Sequence, residues 1–174
     1  MNQNLINKIQ IVFLFSLFEC SFIYALNRNK KILLGNNYIT MTLKGLGKNK
    51  ILHSNITPST VLINEKEIYY KDDFDYYVYT ETNTNNTVIV KFNQTIRNAE
   101  FNFVYCYSII YLDLSNFDSS SITNMNNLFI YCRSLSSINF GNFDTSNVLD
   151  MSYMFLYCFS LSSITGLIFL REIK

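Results

Sequence analysis

The second half of the chain repeats with a period of 26 residues, and this period limits the folds that the chain can adopt. Residues 112–137 and 138–163 are identical at 12 of 26 positions. A unit of this length cannot bury its apolar face alone, so neighbouring units are expected to stack. Three columns recur at this spacing: Cys106, Cys132 and Cys158; Phe103, Phe129 and Phe155; and Tyr105, Tyr131 and Tyr157.

Each repeat contains one pattern typical of a strand and one typical of a helix. Leu135, Ile138 and Phe140 have the spacing by which a short strand turns alternate side chains inward. Residues 151–158 place apolar side chains at i, i+3, i+4 and i+7, on one face of a helix. The sequence therefore predicts an α/β fold, a short leucine-rich-repeat-like solenoid with one strand and one short helix per rung. We predict that it covers residues 96–170 and ends in an irregular last rung.

Several segments of the repeats resemble a known family. The family is that of the BspA-like leucine-rich-repeat surface proteins, and the similar segments are LDLSNFD, NFDTSNV, MSYMFLYC and SLSSI. The resemblance covers about Phe101 to Ile164, and a weaker likeness over Tyr38 to Thr95 is to the β-rich leader that often precedes such repeats. It implies display at a cell surface and contact with a protein or host ligand, without any shared catalytic chemistry.

Residues 37–95 have the pattern of a β-rich region. Ile39, Met41 and Leu43 alternate with polar residues, as in a strand with one buried face. A stack of repeats needs its first unit covered, and no Pro/Gly/Ser linker separates these residues from the repeats. We therefore predict that they form an N-terminal cap, with an independent small β domain as the alternative.

Residues 1–25 have the organisation of a secretory signal peptide. A polar start containing Lys8 precedes the apolar run 11–18, and Ala25 is a small residue suited to cleavage. A membrane anchor is the alternative, but Glu19 ends the run well short of the ~20 apolar residues that a spanning helix needs. The sequence predicts a mature chain that begins near Leu26, is secreted or held at the cell surface, and does not span a membrane.

The three repeated cysteines have two interpretations. In an oxidising compartment, neighbouring repeats could bring two of them within reach of a disulfide. Small buried core residues are the favoured alternative, because one packing position explains all three cysteines whereas a disulfide leaves one over. The spacing contains no CxxC, so no zinc site is predicted.

No set of residues predicts catalysis, a cofactor or a metal. His53 is the only histidine and has no motif around it. Asp118 and Asp144 recur at one repeat position, where short polar side chains are expected to bind local backbone N–H groups. The net charge of +1 and the charged content of 16% exclude a polybasic arm that would bind nucleic acid.

The outward-facing strand positions of the repeats form the predicted ligand-binding surface, because stacked repeats bind on such a face. The predicted function is non-covalent recognition of a protein or surface ligand, or adhesion. The alternatives are a structural coat protein without a dedicated ligand, or a truncated, degenerate family member that self-associates through residues 164–170. The predicted ligand-binding residues are Asp113, Ser115, Ser137, Asn139, Gly141 and Ser163.

Three sequons are candidate sites of N-glycosylation. They begin at Asn55, Asn85 and Asn93, and Asn85 is favoured because it lies in a predicted turn. The tyrosine column is either a contact surface or a packing column, and packing is favoured.

Overall fold

The structure is a computed structural model that describes residues 37–166, except residues 54 and 68, and this part of the chain is all-β. It contains ten strands and no helix. The strands are β1 (Tyr38–Leu43), β2 (Gly47–His53), β3 (Thr60–Ile63), β4 (Lys66–Glu67), β5 (Tyr70–Lys71), β6 (Asp75–Thr80), β7 (Asn86–Lys91), β8 (Ile109–Asp113), β9 (Ser137–Asn139) and β10 (Ser163–Thr165). The predicted signal peptide at residues 1–25 lies outside the described residues.

The strands form two sheets. One has seven strands in the order β10-β9-β8-β1-β7-β3-β4, and the other has three in the order β2-β6-β5. Strands β8, β9 and β10 come from successive repeats and pair in parallel, so Leu112, Ile138 and Ile164 lie side by side at the 26-residue spacing. Strand β1 is antiparallel to both β8 and β7, and it therefore joins the N-terminal region to the repeats within one sheet.

In the N-terminal strands, the apolar residues of the alternating sequence pattern are buried. Ile39, Met41 and Leu43 of β1 are buried, and the residues between them are half-buried on the opposite face of the sheet. Val88 and Val90 of β7 are fully buried across from them. These side chains and the inward residues of the repeats form one continuous core.

The predicted α/β solenoid is wrong, because the residues predicted to be helical form consecutive turns. Asn127, Tyr131, Tyr153 and Tyr157 have φ between +54° and +64°, in the left-handed region that a right-handed helix cannot contain. The carbonyls of Asn127 and Tyr153 close turns with the N–H groups three residues ahead, those of Ile130 at 3.1 Å and Leu156 at 3.0 Å. The strands of the repeats also join a mixed sheet with the N-terminal strands, rather than forming a solenoid of strand-and-helix rungs.

Hydrogen bonds between repeats replace the expected bonds within a helix. The Met125 N–H donates to the Asp150 oxygen at 2.8 Å, and the Phe129 N–H donates to the Met154 oxygen at 2.9 Å. The apolar side chains of the expected helix face are nevertheless buried, namely those of Met125, Leu128, Phe129 and Cys132. The spacing therefore identified the inward side chains but not the backbone conformation that turns them inward.

Aromatic columns fill the repeats. Phe129 stacks between Phe103 and Phe155, with ring centroids 5.2 Å and 5.5 Å apart. Phe117 and Phe143 form a second stacked pair at 6.1 Å. Aromatic side chains at equivalent positions therefore stack on each other between neighbouring repeats. The constant period of 26 residues places them at the same position in each repeat.

Candidate recognition surface

The predicted ligand-binding residues lie on the outer face of the seven-stranded sheet and at its edge. The parallel register places Asp113, Asn139 and Thr165 in one row across β8, β9 and β10. A second row contains Tyr111 and two serines of the predicted set, Ser137 and Ser163. Leu112 and Ile138, between the rows, point into the core, so the outward set is fixed by strand alternation.

The carboxylate of Asp113 is held in a fixed orientation by its neighbours. Its Oδ1 accepts hydrogen bonds from the Ser115 N–H at 2.9 Å and from the Asn139 side-chain amide at 3.2 Å. The Oδ1 of Asn139 in turn accepts from the Gly141 N–H at 3.0 Å and from the Thr165 hydroxyl at 3.1 Å. Among the described residues, these two hydrogen bonds are both made by Oδ1, and Asp113 is half-buried, so Oδ2 is left as an acceptor for a ligand.

Two tyrosines stand beside this carboxylate. Tyr111 precedes Asp113 by two residues on β8, and Tyr38 lies on β1, which pairs with β8. Burial and then the charge of Asp113 raise the pKa of Tyr38. The same two causes raise the pKa of Tyr111, against a hydrogen bond with Asn139 that lowers it. Both phenols therefore remain protonated donors at neutral pH, and we call Tyr38, Tyr111, Asp113, Asn139 and Thr165 the Asp113 cluster.

The structure gathers four of the six predicted residues and places the other two beside them. Asp113, Ser115, Asn139 and Gly141 are linked by the hydrogen bonds described above. Ser137 is half-buried and Ser163 is exposed in the neighbouring row. Sequence reasoning missed Tyr38, because its place beside Asp113 depends on the pairing of β1 with β8 across about half of the described chain.

Gly141 has a conformational role at the edge of this surface. Its φ is +56°, and a Cβ added there would lie 2.4 Å from the Cβ of Ser115. Gly166 packs in the same way against the backbone of Gly141, with an added Cβ 2.4 Å from the Gly141 nitrogen. The backbones of successive repeats therefore approach each other closely at Gly141. Because glycine has no side chain, Gly141 could contact a ligand only through its backbone.

The tyrosine column forms a separate exposed surface. The rings of Tyr105, Tyr131 and Tyr157 stack with centroids 4.9 Å and 4.4 Å apart. The guanidinium carbon of Arg133 lies 5.6 Å from the centroid of the Tyr131 ring and 5.8 Å from that of Tyr107. Because the rings cover each other's faces, the column presents mainly ring edges and hydroxyl groups to solvent.

The three repeated cysteines are free thiols. Cys106 and Cys132 are buried, and the thiol of Cys132 donates to the Phe103 oxygen at 2.9 Å. Cys158, which is half-buried, donates to the Phe129 oxygen at 3.0 Å. Burial raises the pKa of Cys132, and it raises the pKa of Cys158 to about 11. The thiols are therefore protonated at neutral pH and are poor nucleophiles.

The remaining chemistry-bearing side chains have local structural contacts. His53 is half-buried, and its Nδ1 accepts from the Asn55 N–H at 3.4 Å. Asp118 and Asp144 accept from the N–H groups two residues ahead, at 3.2 Å and 2.8 Å, as expected for short polar loop residues. Within the described ranges, no group of three or more His, Cys, Asp or Glu side chains could hold a metal ion.

The three sequon asparagines differ in their surroundings. Asn55, Asn85 and Asn93 are all exposed. The Asn55 side-chain amide, however, donates to the Glu100 oxygen, so the nitrogen that would carry a glycan is engaged. Asn85 directly precedes β7 and has no such contact within the described residues.

The fold and this surface define an all-β repeat protein whose successive repeats pair in parallel and present a polar sheet face. A family model described as "Mycoplasma protein of unknown function, DUF285" matches residues 73–166, which is more than half of the chain. The chain belongs to this family. No curated protein and no solved structure matches it. In the portion described by the structure, no helix is long and apolar enough to cross a membrane.

Proposed function

We propose that this protein is a secreted or cell-surface protein that recognises a protein or surface ligand non-covalently through the outer face of its seven-stranded sheet. The proposal agrees with the resemblance of its repeats to the BspA-like surface proteins and with the predicted signal peptide. The fixed, partly unpaired carboxylate of Asp113 is the observation that carries it. A side chain held in place before binding loses little conformational entropy when a ligand binds.

The composition of the surface agrees with recognition of a polar ligand. The Asp113 cluster offers one anionic acceptor, an amide and hydroxyl donors on rigid strands. Thr40 and Thr42 of β1 extend it with two further half-buried hydroxyls, since they pair with Asp113 and Tyr111. A ligand that donates hydrogen bonds or carries positive charge would fit this surface best.

Binding of the labelled protein to intact surface material tests this function. We expect saturable binding that Asp113→Ala weakens by about tenfold or more, since a hydrogen bond to a charged group is worth ~1.5–3 kcal/mol. Asp73→Ala is the matched control, because Asp73 is an exposed carboxylate of the turn before β6. Equal binding by the wild type and Asp113→Ala would contradict the proposed surface.

Self-association is the alternative function, and the exposed edge of the seven-stranded sheet favours it. Strand β10 is the edge of the sheet, its three residues are exposed, and the Ile164 side chain is 42% exposed. An exposed edge can pair with another chain. Residues 167–170 of the predicted self-association segment lie outside the described residues. Sedimentation of the protein distinguishes the two functions, because a monomer that still binds surface material excludes self-association as its role.

A further inference from the structure

Within the consecutive turns of the repeats, a row of backbone hydrogen bonds joins neighbouring repeats in one direction. We call residues 98–105, 124–131 and 150–157 the turn wall, and we number the repeats to which these three segments belong first, second and third. In this wall the N–H groups of Ala99, Phe101, Phe103 and Tyr105 donate to carbonyls of the second repeat, at 2.8–3.3 Å. Met125, Asn127, Phe129 and Tyr131 donate in the same way to the third repeat, at 2.8–3.0 Å. Along these eight backbone N–H groups, the earlier repeat is therefore always the donor and the later repeat the acceptor.

The two ends of the turn wall differ as a consequence. At the first repeat, the Asn102 carbonyl accepts from the His53 N–H at 2.7 Å, and the Glu100 carbonyl accepts from the Asn55 side chain. The N-terminal region therefore covers the acceptor end. At the third repeat, no carbonyl of the described residues accepts the N–H groups at the equivalent positions, Met151, Tyr153, Phe155 and Tyr157. We call this row the open end.

The side chains of the open end are those that would pack against a further repeat. Phe155 and Tyr157 each stack on the equivalent ring of the second repeat by one face only. Tyr153 and Phe159 are 66% and 73% exposed, and Leu149 is 71% exposed. The exposed large side chains thus belong to, or lie two positions from, the residues whose N–H groups have no acceptor among the described residues, and exposed apolar clusters are typical of interaction surfaces.

We propose that the open end binds a repeat segment of the same 26-residue type from another polypeptide, added in parallel as the next repeat. This inference concerns a surface other than the Asp113 cluster and does not depend on the proposed function. The partner must offer a row of carbonyl acceptors and aromatic side chains that continue the phenylalanine and tyrosine columns. A repeat segment has both, and the bonds that it would form continue those already present between the second and third repeats.

The direction of the hydrogen bonds argues against a second folded copy as the occupant. Two copies that met by their open ends would place N–H rows opposite each other, with no acceptor between them. At the other end of a copy, the carbonyls of Asn102 and Glu100 already accept from His53 and Asn55, so the N-terminal region occupies the place of a further repeat. The repeat segment of a partner must therefore have backbone carbonyls that are not already hydrogen-bonded, so that they can accept from the N–H groups of the open end. Binding by strand addition meets the same requirement.

The test uses the full chain and a synthetic peptide with the sequence of residues 138–163, kept reduced. We expect saturable binding of the peptide, with the N–H signals of Phe155 and Tyr157 shifted and protected from hydrogen exchange. Tyr157→Asn should weaken binding by about tenfold or more, because it removes a stacking ring while Asn tolerates the left-handed φ of +64°. Phe74→Asn is the control, since Phe74 is 68% exposed in the turn before β6.

Three results would overturn the inference. The first is no binding of the peptide at millimolar concentration, or equal binding of a scrambled peptide. The second is binding that leaves the N–H signals of Met151, Tyr153, Phe155 and Tyr157 unchanged. The third is a dimer of the chain alone in which these signals are already protected, because a second copy would then be the occupant.

Discussion

Phe129 has the most central side chain of the repeats. It is fully buried, stacks on Phe103 and Phe155, and meets the ring of Phe140 edge-on at 6.4 Å. Its equivalent in the third repeat, Phe155, is only half-buried because no described repeat follows it. Residues at one repeat position therefore differ in their contribution to stability according to whether both neighbours are present.

Replacement of Phe129 by alanine should lower the free energy of unfolding by ~3–5 kcal/mol, as for other large buried aromatics. Chemical denaturation measures the change. Phe159→Ala is the control, because its ring is 73% exposed and its loss should cost only about 0.5 kcal/mol. Equal effects of the two substitutions would show that the phenylalanine column is not the core of the repeats.

The ionisation of Tyr77 is expected to make the free energy of unfolding fall at alkaline pH. Burial, followed by the charges of Asp75 and Asp72, raises the pKa of Tyr77 to about 12, and its hydroxyl donates to Asp75 at 3.2 Å. The unfolded chain releases this proton near pH 10, whereas the folded chain retains it. Stability from this group is therefore complete below pH 10 and is lost as the pH rises towards 12.

The variant Tyr77→Phe isolates this effect, since it keeps the ring beneath Lys48 and removes the ionising group. We expect its free energy of unfolding to fall less steeply between pH 10 and pH 12 than that of the wild type. Tyr153→Phe, which alters an exposed ring, should follow the wild-type curve. If Tyr77→Phe also follows it, the Tyr77 phenol does not titrate as the structure indicates.

At the scale of the elements, the sequence predicted which side chains turn inward better than it predicted the backbone. The apolar positions at i, i+3, i+4 and i+7 in residues 125–132 are buried, but in turns rather than a helix. The pattern could not distinguish the two, because Asn127 and Tyr131 show their left-handed φ only in the structure. Of the candidate site, the outward strand residues were predictable from alternation, whereas Tyr38 was not, since β1 reaches β8 from a distant part of the chain.

Gly141 tests the close contact between repeats at the end of β9. Gly141→Ala should lower the free energy of unfolding by about 2–4 kcal/mol, because a left-handed φ and a steric overlap with Ser115 act together. Gly47→Ala is the matched control, with a φ of +90° but no atom within 4 Å of the added Cβ. It should cost less, about 1–2 kcal/mol from the backbone alone. A cost for Gly141→Ala no greater than that for Gly47→Ala would contradict the close approach.

At the scale of the whole molecule, one sheet unites a repeat array with a non-repeating region. Strand β1 pairs antiparallel with β8 and β7, so the array is covered on one side by the N-terminal strands. The other side ends at β10 and at the open end of the turn wall. The two ends therefore differ both in hydrogen bonding and in exposed apolar surface.

The central claim is that hydrogen bonds between repeats, rather than bonds within helices, satisfy the backbone of the turn wall. Residue-resolved amide hydrogen exchange of the protein alone tests it most directly. The N–H groups of Phe129 and Tyr131 should be strongly protected, because they donate to the third repeat, and those of Phe155 and Tyr157 should exchange rapidly. Equal protection at the equivalent positions of both repeats, as in helices that close their own bonds, would contradict the claim.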